Sequence, residues 1–264
     1  MENFQIIKPS PMLAPYVKHY WFLKANITHS SRTRIVPTGH VCMMFHRGER
    51  IFSESDNQFQ PQAFISGQEK SFTDLLYTSD LDMICIVFHP IGARVFFKMP
   101  MSEINGLRTD IYDLEDRELI DLRKVLEETQ SNIQCALLIE QFLFKRIRNL
   151  ADYNLKRINT AIELINNRQT DIKTLAGASC LSPKQFKRIF TEMVGANPKE
   201  YQRVIRFQRA LFVLQTQSDI NMAQLAFECG YYDQPHLIKE FKVFSGYTPL
   251  EYLAMCTPYS DYFS

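Results

Sequence analysis

Lys184, Lys187, Arg188 and Thr191 recur at the spacing of a single helix face. At about 100° per residue they share one arc, opposite the apolar Phe186, Ile189, Phe190 and Met193. Three cations and a hydroxyl on one arc offer hydrogen-bond donors to guanine O6 and N7 and to phosphate oxygens. Ser182 and Gln185, in the first turn of that helix, complete the candidate set. Fifty-one residues later a second helix repeats the design, with Leu237, Phe241 and Phe244 inward and Pro235, Ile238, Lys239 and Lys242 outward, preceded by Gln234. Its outward arc falls at the same four positions but carries fewer charges.

The elements that must position these arcs are themselves duplicated. Leu175 and Ala176 match Leu225 and Ala226 at an offset of 50. One residue is then added in the turn, and Phe190, Gly195, Pro198 and Tyr201 match Phe241, Gly246, Pro249 and Tyr252 at an offset of 51. Each copy reads as a short helix, a tight turn and a longer helix, which is the shape of a helix-turn-helix. Asp233 caps the later long helix, Pro235 sits in its first turn, and Gly246 with Thr248-Pro249 ends it. Between the copies, Lys199 to about Gln215 reads as one helix of 17 residues, about 25 Å long. A spacer of that length suits two recognition helices entering major-groove segments one turn apart, about 34 Å.

The chain has 264 residues, 45% apolar and 22% charged, which is ordinary globular composition. Its net charge of +1 conceals an asymmetry. Residues 156–214 hold 11 Lys and Arg against 4 Asp and Glu, whereas residues 219–264 hold 2 against 6. The basic block predicts a surface for a polyanion. No run of 18 apolar residues predicts a membrane span. The six scattered cysteines and the absence of a signal-peptide pattern at Met1-Glu2-Asn3-Phe4 predict a reduced, cytoplasmic protein.

The fold class expected is α+β. Residues 1–112 read as a β-rich regulatory domain, with Ala63-Phe64-Ile65 and Met83 to Phe88 as strands and Val41 to Phe52 as a hairpin. Residues 113–152 read as two linker helices broken near Ser131, residues 153–256 as the all-α double helix-turn-helix domain, and 257–264 as a tail. Other chemistry finds little footing. His40, His46 and Glu49 lie close in sequence, but the H-x-H spacing of a cupin metal site is absent. No Pro-Cys-His surrounds any cysteine, no Gly-rich phosphate loop occurs among nine glycines, and no receiver-type Asp cluster is present. No catalytic residue, metal or cofactor is therefore expected. The competing reading is a DNA reader fused to a metal-dependent, cupin-like enzymatic sensor. The aromatics Tyr16, Tyr20, Trp21 and Phe22 fit either a ligand pocket or a core.

The stretches "LSPKQFKRIFTEMVGANPKEYQ", "RFQRALFVL" and "LAFECGYYDQPHLIKEFKVFSGYTPLEYL" resemble the AraC/XylS family of bacterial transcription regulators over roughly residues 153–252. The resemblance implies a homeodomain-like, sequence-specific reader of double-stranded DNA. Lys184, Lys187 and Arg188 would supply most base contacts, Gln234 and Lys239 the rest, and Arg206 would pack the two halves together. It also implies an activator working with RNA polymerase. "PMLAPYVKHYWFLKA", "RIVPTGHVCMMF" and "FHPIGARVFFKMPMSEI" resemble the N-terminal domain of AraC-like regulators common in Bacteroidetes-type bacteria. That implies a small sensor domain, with a cupin-like barrel as its candidate form, a small-molecule effector, and a homodimer formed through the linker helices.

Overall fold

In the computed structural model, residues 2–27, 29–77, 80–147, 153–168, 171–217 and 220–255 are described. The N-terminal region is built from β1 (Glu2–Ile7), β2 (Val17–Ala25), β3 (Ser31–Ile35), β4 (Cys42–His46), β5 (Phe52–Ser53), β6 (Gln58–Phe59), β7 (Ala63–Ser66), β8 (Thr73–Tyr77), β9 (Leu81–Phe88) and β10 (Arg108–Asp110), with α1 (Gly92–Phe96) between the last two. Two linker helices follow, α2 (Arg117–Glu128) and α3 (Asn132–Arg146). Asp116 caps the first and Ser131 the second, so the expected break near Ser131 is a helix start. The expected domain boundary near Asp152 lies outside the described residues.

Alternation along the strands sends side chains to two different cores. Tyr20 and Phe22 of β2, Met43 and Phe45 of β4, and Ile84, Ile86 and Phe88 of β9 face one way, packing with Leu119, Leu126, Ile139 and Leu143 of α2 and α3. Trp21, Met44, Phe64, Cys85 and Val87 face the other way, against Ile35 of β3 and Leu75 and Tyr77 of β8. The aromatic run near the start is thus core rather than pocket lining: Tyr20 and Trp21 are fully buried, on opposite faces of one strand.

The expected barrel is not formed. The strands make a six-stranded sheet in the order β1-β2-β9-β4-β7-β10 and a separate four-stranded sheet in the order β3-β8-β5-β6. Closure needs one continuous ladder, and here β1 and β10 are edges of the large sheet while β3 and β6 are edges of the small one. The central strands are apolar on both faces because helices cover one and the small sheet the other, giving three layers instead of a hollow ring. The expected hairpin fails for a related reason. β4 pairs with β7 and β9, whereas β5 crosses to the other sheet and pairs with β6 and β8.

Between the sheets His46 is almost fully buried, its Nε2 lying 3.2 Å from Gln60 Oε1 and its ring stacked on Phe64. Burial lowers its pKa from 6.5 to about 4. The unfolded chain therefore takes up the proton first as pH falls. Its contribution is complete above about pH 6.5 and is lost as pH drops through 6.5 towards 4, at most about 3 kcal/mol for this one group. Urea melts between pH 7 and pH 4 should show that loss, and His46→Gln should reduce it. His19, His40 and His89, whose pKa values burial also lowers, contribute to the remainder. An unchanged pH dependence in the variant would contradict this assignment.

Candidate nucleic-acid interface

The C-terminal region comprises α4 (Tyr153–Asn166), α5 (Ile172–Ala178), α6 (Pro183–Val194), α7 (Pro198–Thr216), α8 (Met222–Glu228), α9 (Gln234–Ser245) and α10 (Pro249–Met255). Local signals account for nearly every boundary. Asp171, Ser182, Asn197, Asn221 and Asp233 cap α5 to α9 in turn, each side chain accepting a backbone N–H of the first turn. Ser182 with Gln185 and Asn197 with Glu200 form full capping boxes. The turn of each copy carries one left-handed residue at the same repeat position, Cys180 at φ 53° and Gly230 at φ 78°. The expected tail 257–264 lies outside the described residues.

The two copies have separate cores bridged by α7. Ile158, Ile162, Leu175, Phe186, Phe190 and Tyr201 belong to the first. Phe207, Leu211, Leu225, Leu237, Phe241 and Tyr252 belong to the second. Thus Tyr201 and Ile205 of the spacer helix pack on one motif and Val204, Phe207, Ala210, Leu211 and Leu214 into the other, so α7 belongs to both cores.

Lys184, Lys187 and Arg188 are exposed together on α6, as the spacing predicts. The side chains of Lys184 and Lys187 make no hydrogen bond or ion pair among the described residues. Arg188 pairs with Glu192 at 3.1 Å, but both side chains are largely exposed. Such an i,i+4 pair contributes only about 0.3–0.5 kcal/mol, so a polyanion displaces it readily. Thr191 is half-buried and its hydroxyl donates back to the Lys187 carbonyl at 2.7 Å. Ser182 and Gln185 are exposed but occupied with each other in the capping box. On α9, Gln234, Pro235, Lys239 and Lys242 are exposed and Ile238 is half-buried. Every candidate of each copy therefore lies on its recognition helix or at its cap.

One exposed group escaped the sequence reading. Tyr232 is 92% exposed, immediately before the cap of α9. It is the residue by which the second copy exceeds the first, and that one-residue addition was the signal for it. With Pro235 and Ile238 it makes the head of α9 apolar and aromatic where the head of α6 is cationic.

Glu240 is a further residue with no sequence signal. It stands where the first copy has Ile189, and its side chain is 5% exposed. Arg206 of α7 donates to both of its oxygens, at 2.6 and 2.8 Å, and lies over the Tyr231 ring. Arg203 and His236 approach the same carboxylate at 3.5 Å. The packing role that the resemblance implied for Arg206 thus takes the form of an ion pair across α7 and α9 in which Nη2 alone reaches both carboxylate oxygens.

The candidate metal residues are not assembled. His46 contacts Gln60, while His40 Nδ1 lies 2.9 Å from the Phe88 carbonyl and its Nε2 3.3 Å from Lys18 Nζ. Among the described residues no group of three or more His, Cys, Asp or Glu is placed to hold a metal ion. No described helix is long and apolar enough to cross a membrane.

Residues 175–255 match the protein-family model described as "Helix-turn-helix domain", and residues 5–110 match "Domain of unknown function (DUF6597)". An uncharacterized HTH-type transcriptional regulator of Haemophilus influenzae is 31% identical over 189 residues, covering 66% of this chain and 63% of that protein. The HTH-type transcriptional regulator GbdR of Pseudomonas aeruginosa is 26% identical over 128 residues, 43% of this chain and 35% of that protein. The chain thus spans under two thirds of the length of either relative. Among solved structures, ToxT from Vibrio cholerae aligns with 97% of this chain and 98% of its own at 13% identity and a TM-score of 0.47. An AraC-type DNA-binding domain protein from Chromobacterium violaceum aligns with 39% and 96% at 24% identity and a TM-score of 0.37. The fold of residues 175–255 is that of a helix-turn-helix domain.

Removing one partner of a buried ion pair strands the other, which typically costs about 3–5 kcal/mol. Arg206→Ala should destabilise the chain by that order in denaturant melts. Replacing both partners at once, Arg206→Leu with Glu240→Ile, should recover most of the loss, because the first copy packs Ile189 at the same place. A double variant as unstable as the single one would refute this account of the pair.

Proposed function

We propose that this protein is a sequence-specific DNA-binding transcription regulator that reads two adjacent major-groove segments through α6 and α9. The carrying observation is the duplicated helix-turn-helix whose first recognition helix exposes Lys184, Lys187 and Arg188 on one arc. Their charges would neutralise phosphates and release counterions, giving an affinity that falls steeply with salt. A bidentate contact from Arg188 to a guanine edge would add sequence discrimination. The second reader would work differently. Lys239 and Lys242 would hold the backbone, while Tyr232, Pro235 and Ile238 would favour the C5-methyl groups of thymine.

Activation through RNA polymerase, a cytoplasmic site of action and a small-molecule effector on the N-terminal domain complete the reading, on the strength of the resemblance. Homodimerisation has support in the linker helices, where Val125 of α2 and Ile133 and Leu137 of α3 are 45%, 64% and 55% exposed. Ile133 and Leu137, four residues apart, share one face of their helix.

Selection from a random DNA library at two salt concentrations tests the reading, and failure to enrich any sequence would sink it. On the enriched site, Arg188→Ala should cost about 1–3 kcal/mol and relax the preference at one position, with little effect on random DNA. Lys187→Ala should weaken binding to both and make the log–log salt slope shallower by about 0.9.

A further inference from the structure

The N-terminal domain touches the two motifs at equivalent places. Gly195 and Gly246 occupy the same repeat position, and each ends a recognition helix in a left-handed conformation, at φ 97° and 76°. Each is pressed against the N-terminal domain. A Cβ on Gly195 would come within 3.1 Å of the Met101 carbonyl oxygen and 3.3 Å of Gln68 Cγ. One on Gly246 would collide with Arg34 Nη1 and lie 3.0 Å from the Phe72 ring.

The second foothold is a built latch. Arg34 of β3 donates through Nη1 to the carbonyl of Ser245, the last residue of α9, at 3.1 Å. Its guanidinium is sandwiched by Phe72 at 4.0 Å and Tyr247 at 4.4 Å. Asp74 takes its other donors at 2.6 and 2.7 Å and holds the head in place. A cation on the last carbonyls of a helix is favoured by the helix dipole, and the aromatic faces add to it. A third foothold lies on the spacer. Gln208 of α7 donates to the Pro37 carbonyl at 2.6 Å, and Gly39 packs on Ile205, Val204 and Tyr201. Gln68, which abuts the first cap, donates to the Gly39 carbonyl and ties that loop to the first foothold.

All three footholds lie away from the reading surface, and Lys184, Lys187, Arg188, Gln234 and Lys239 stay exposed with the domain docked. The docked domain therefore does not cover the arcs, and what it constrains is their pose. Each recognition helix has 12 residues, about 18 Å. Tilting one by about 10° about its C-terminal cap swings its reading end by about 3 Å, close to the 3.4 Å rise of one base pair.

We propose that the N-terminal domain, by gripping the C-terminal caps of both recognition helices, sets the spacing between DNA contact blocks that the chain accepts, with Arg34 the positioning residue at the second cap. This rests on the double-reader function proposed above. The test takes a two-block duplex enriched by the full chain from a random library. It is resynthesised with the gap one and two base pairs longer and shorter. The wild type should lose at least tenfold in affinity on a one-base-pair change. Arg34→Ala should lose a few-fold on the best duplex and then vary less than about threefold across the gaps. Tyr247→Leu should flatten the profile likewise, and Tyr247→Phe, which keeps the ring face, should restore it.

A thermal melt first establishes that each variant is folded. Should Arg34→Ala not fold, the Tyr247→Leu and Tyr247→Phe pair carries the comparison. Folded variants that keep the wild-type gap profile, or lose affinity equally at every gap, overturn the positioning role while leaving the double reader intact. A wild-type chain that enriches only one contact block, or none, overturns the double reader and this inference with it.

Discussion

A carboxylate sealed from water needs a fixed hydrogen-bonding partner, and that requirement decides where the second motif sits. Glu240 is buried on α9 and its two oxygens are taken by Arg206. Arg206 belongs to α7, the helix that carries Tyr201 into the core of the first motif. One ion pair therefore registers α9 against an element already fixed by α6. Apolar packing between the same helices, Phe207 on Phe241 and Phe244, supplies area but is non-directional. The paired hydrogen bonds supply the direction.

The same helix collects the N-terminal domain. Val36 enters the core of the second motif and Ile91 that of the first. The domain is thus not tethered only through residues 148–152 but is seated on both motifs and on α7. Its own architecture makes that possible. The large sheet spends one face on α2 and α3 and the other on the small sheet, so the docking surface is built from loops and edges: the end of β3, residues 36–40, Gln68 and the turn at Met101–Ile104.

Features carried by neighbouring residues were legible before the structure. The duplicated motif, the cap at Asp233, the spacer helix and the break near Ser131 all rest on spacings of a few residues, and each appears where expected. Features carried by distant pairing were not. Alternation in Met83 to Phe88 shows that both faces of β9 are buried, but not that its neighbours are β2 and β4. That missing partner information is why a barrel and a hairpin were both plausible; neither formed because the strands divide into two sheets and β4 and β5 pair in different ones. Of the candidate site, the cationic arc of α6 was legible because a helix wheel is local. Glu240 was not, since a glutamate reads as surface until Arg206, 34 residues away, is brought beneath it. Arg34 was still less so, being 211 residues from the carbonyl it holds.

The two copies keep one backbone and have parted in chemistry, and the positions at which they part are informative. Cap, left-handed turn residue, inward aromatics and terminal glycine are retained, which is what the fold needs. Lys184 and Lys187 are answered by Pro235 and Ile238, and the basic block by an acidic segment. On the proposed function, a long-range electrostatic attraction concentrated on the first motif would bring the chain to DNA and leave the second to test apolar fit at short range. A reader of that kind tolerates little error in pose, because contact with a methyl group falls away within a fraction of an ångström to an ångström of separation. Charge on phosphate is more forgiving. The weakly charged motif is accordingly the one that gains most from being held at both its core and its cap, by Arg206 and by Arg34.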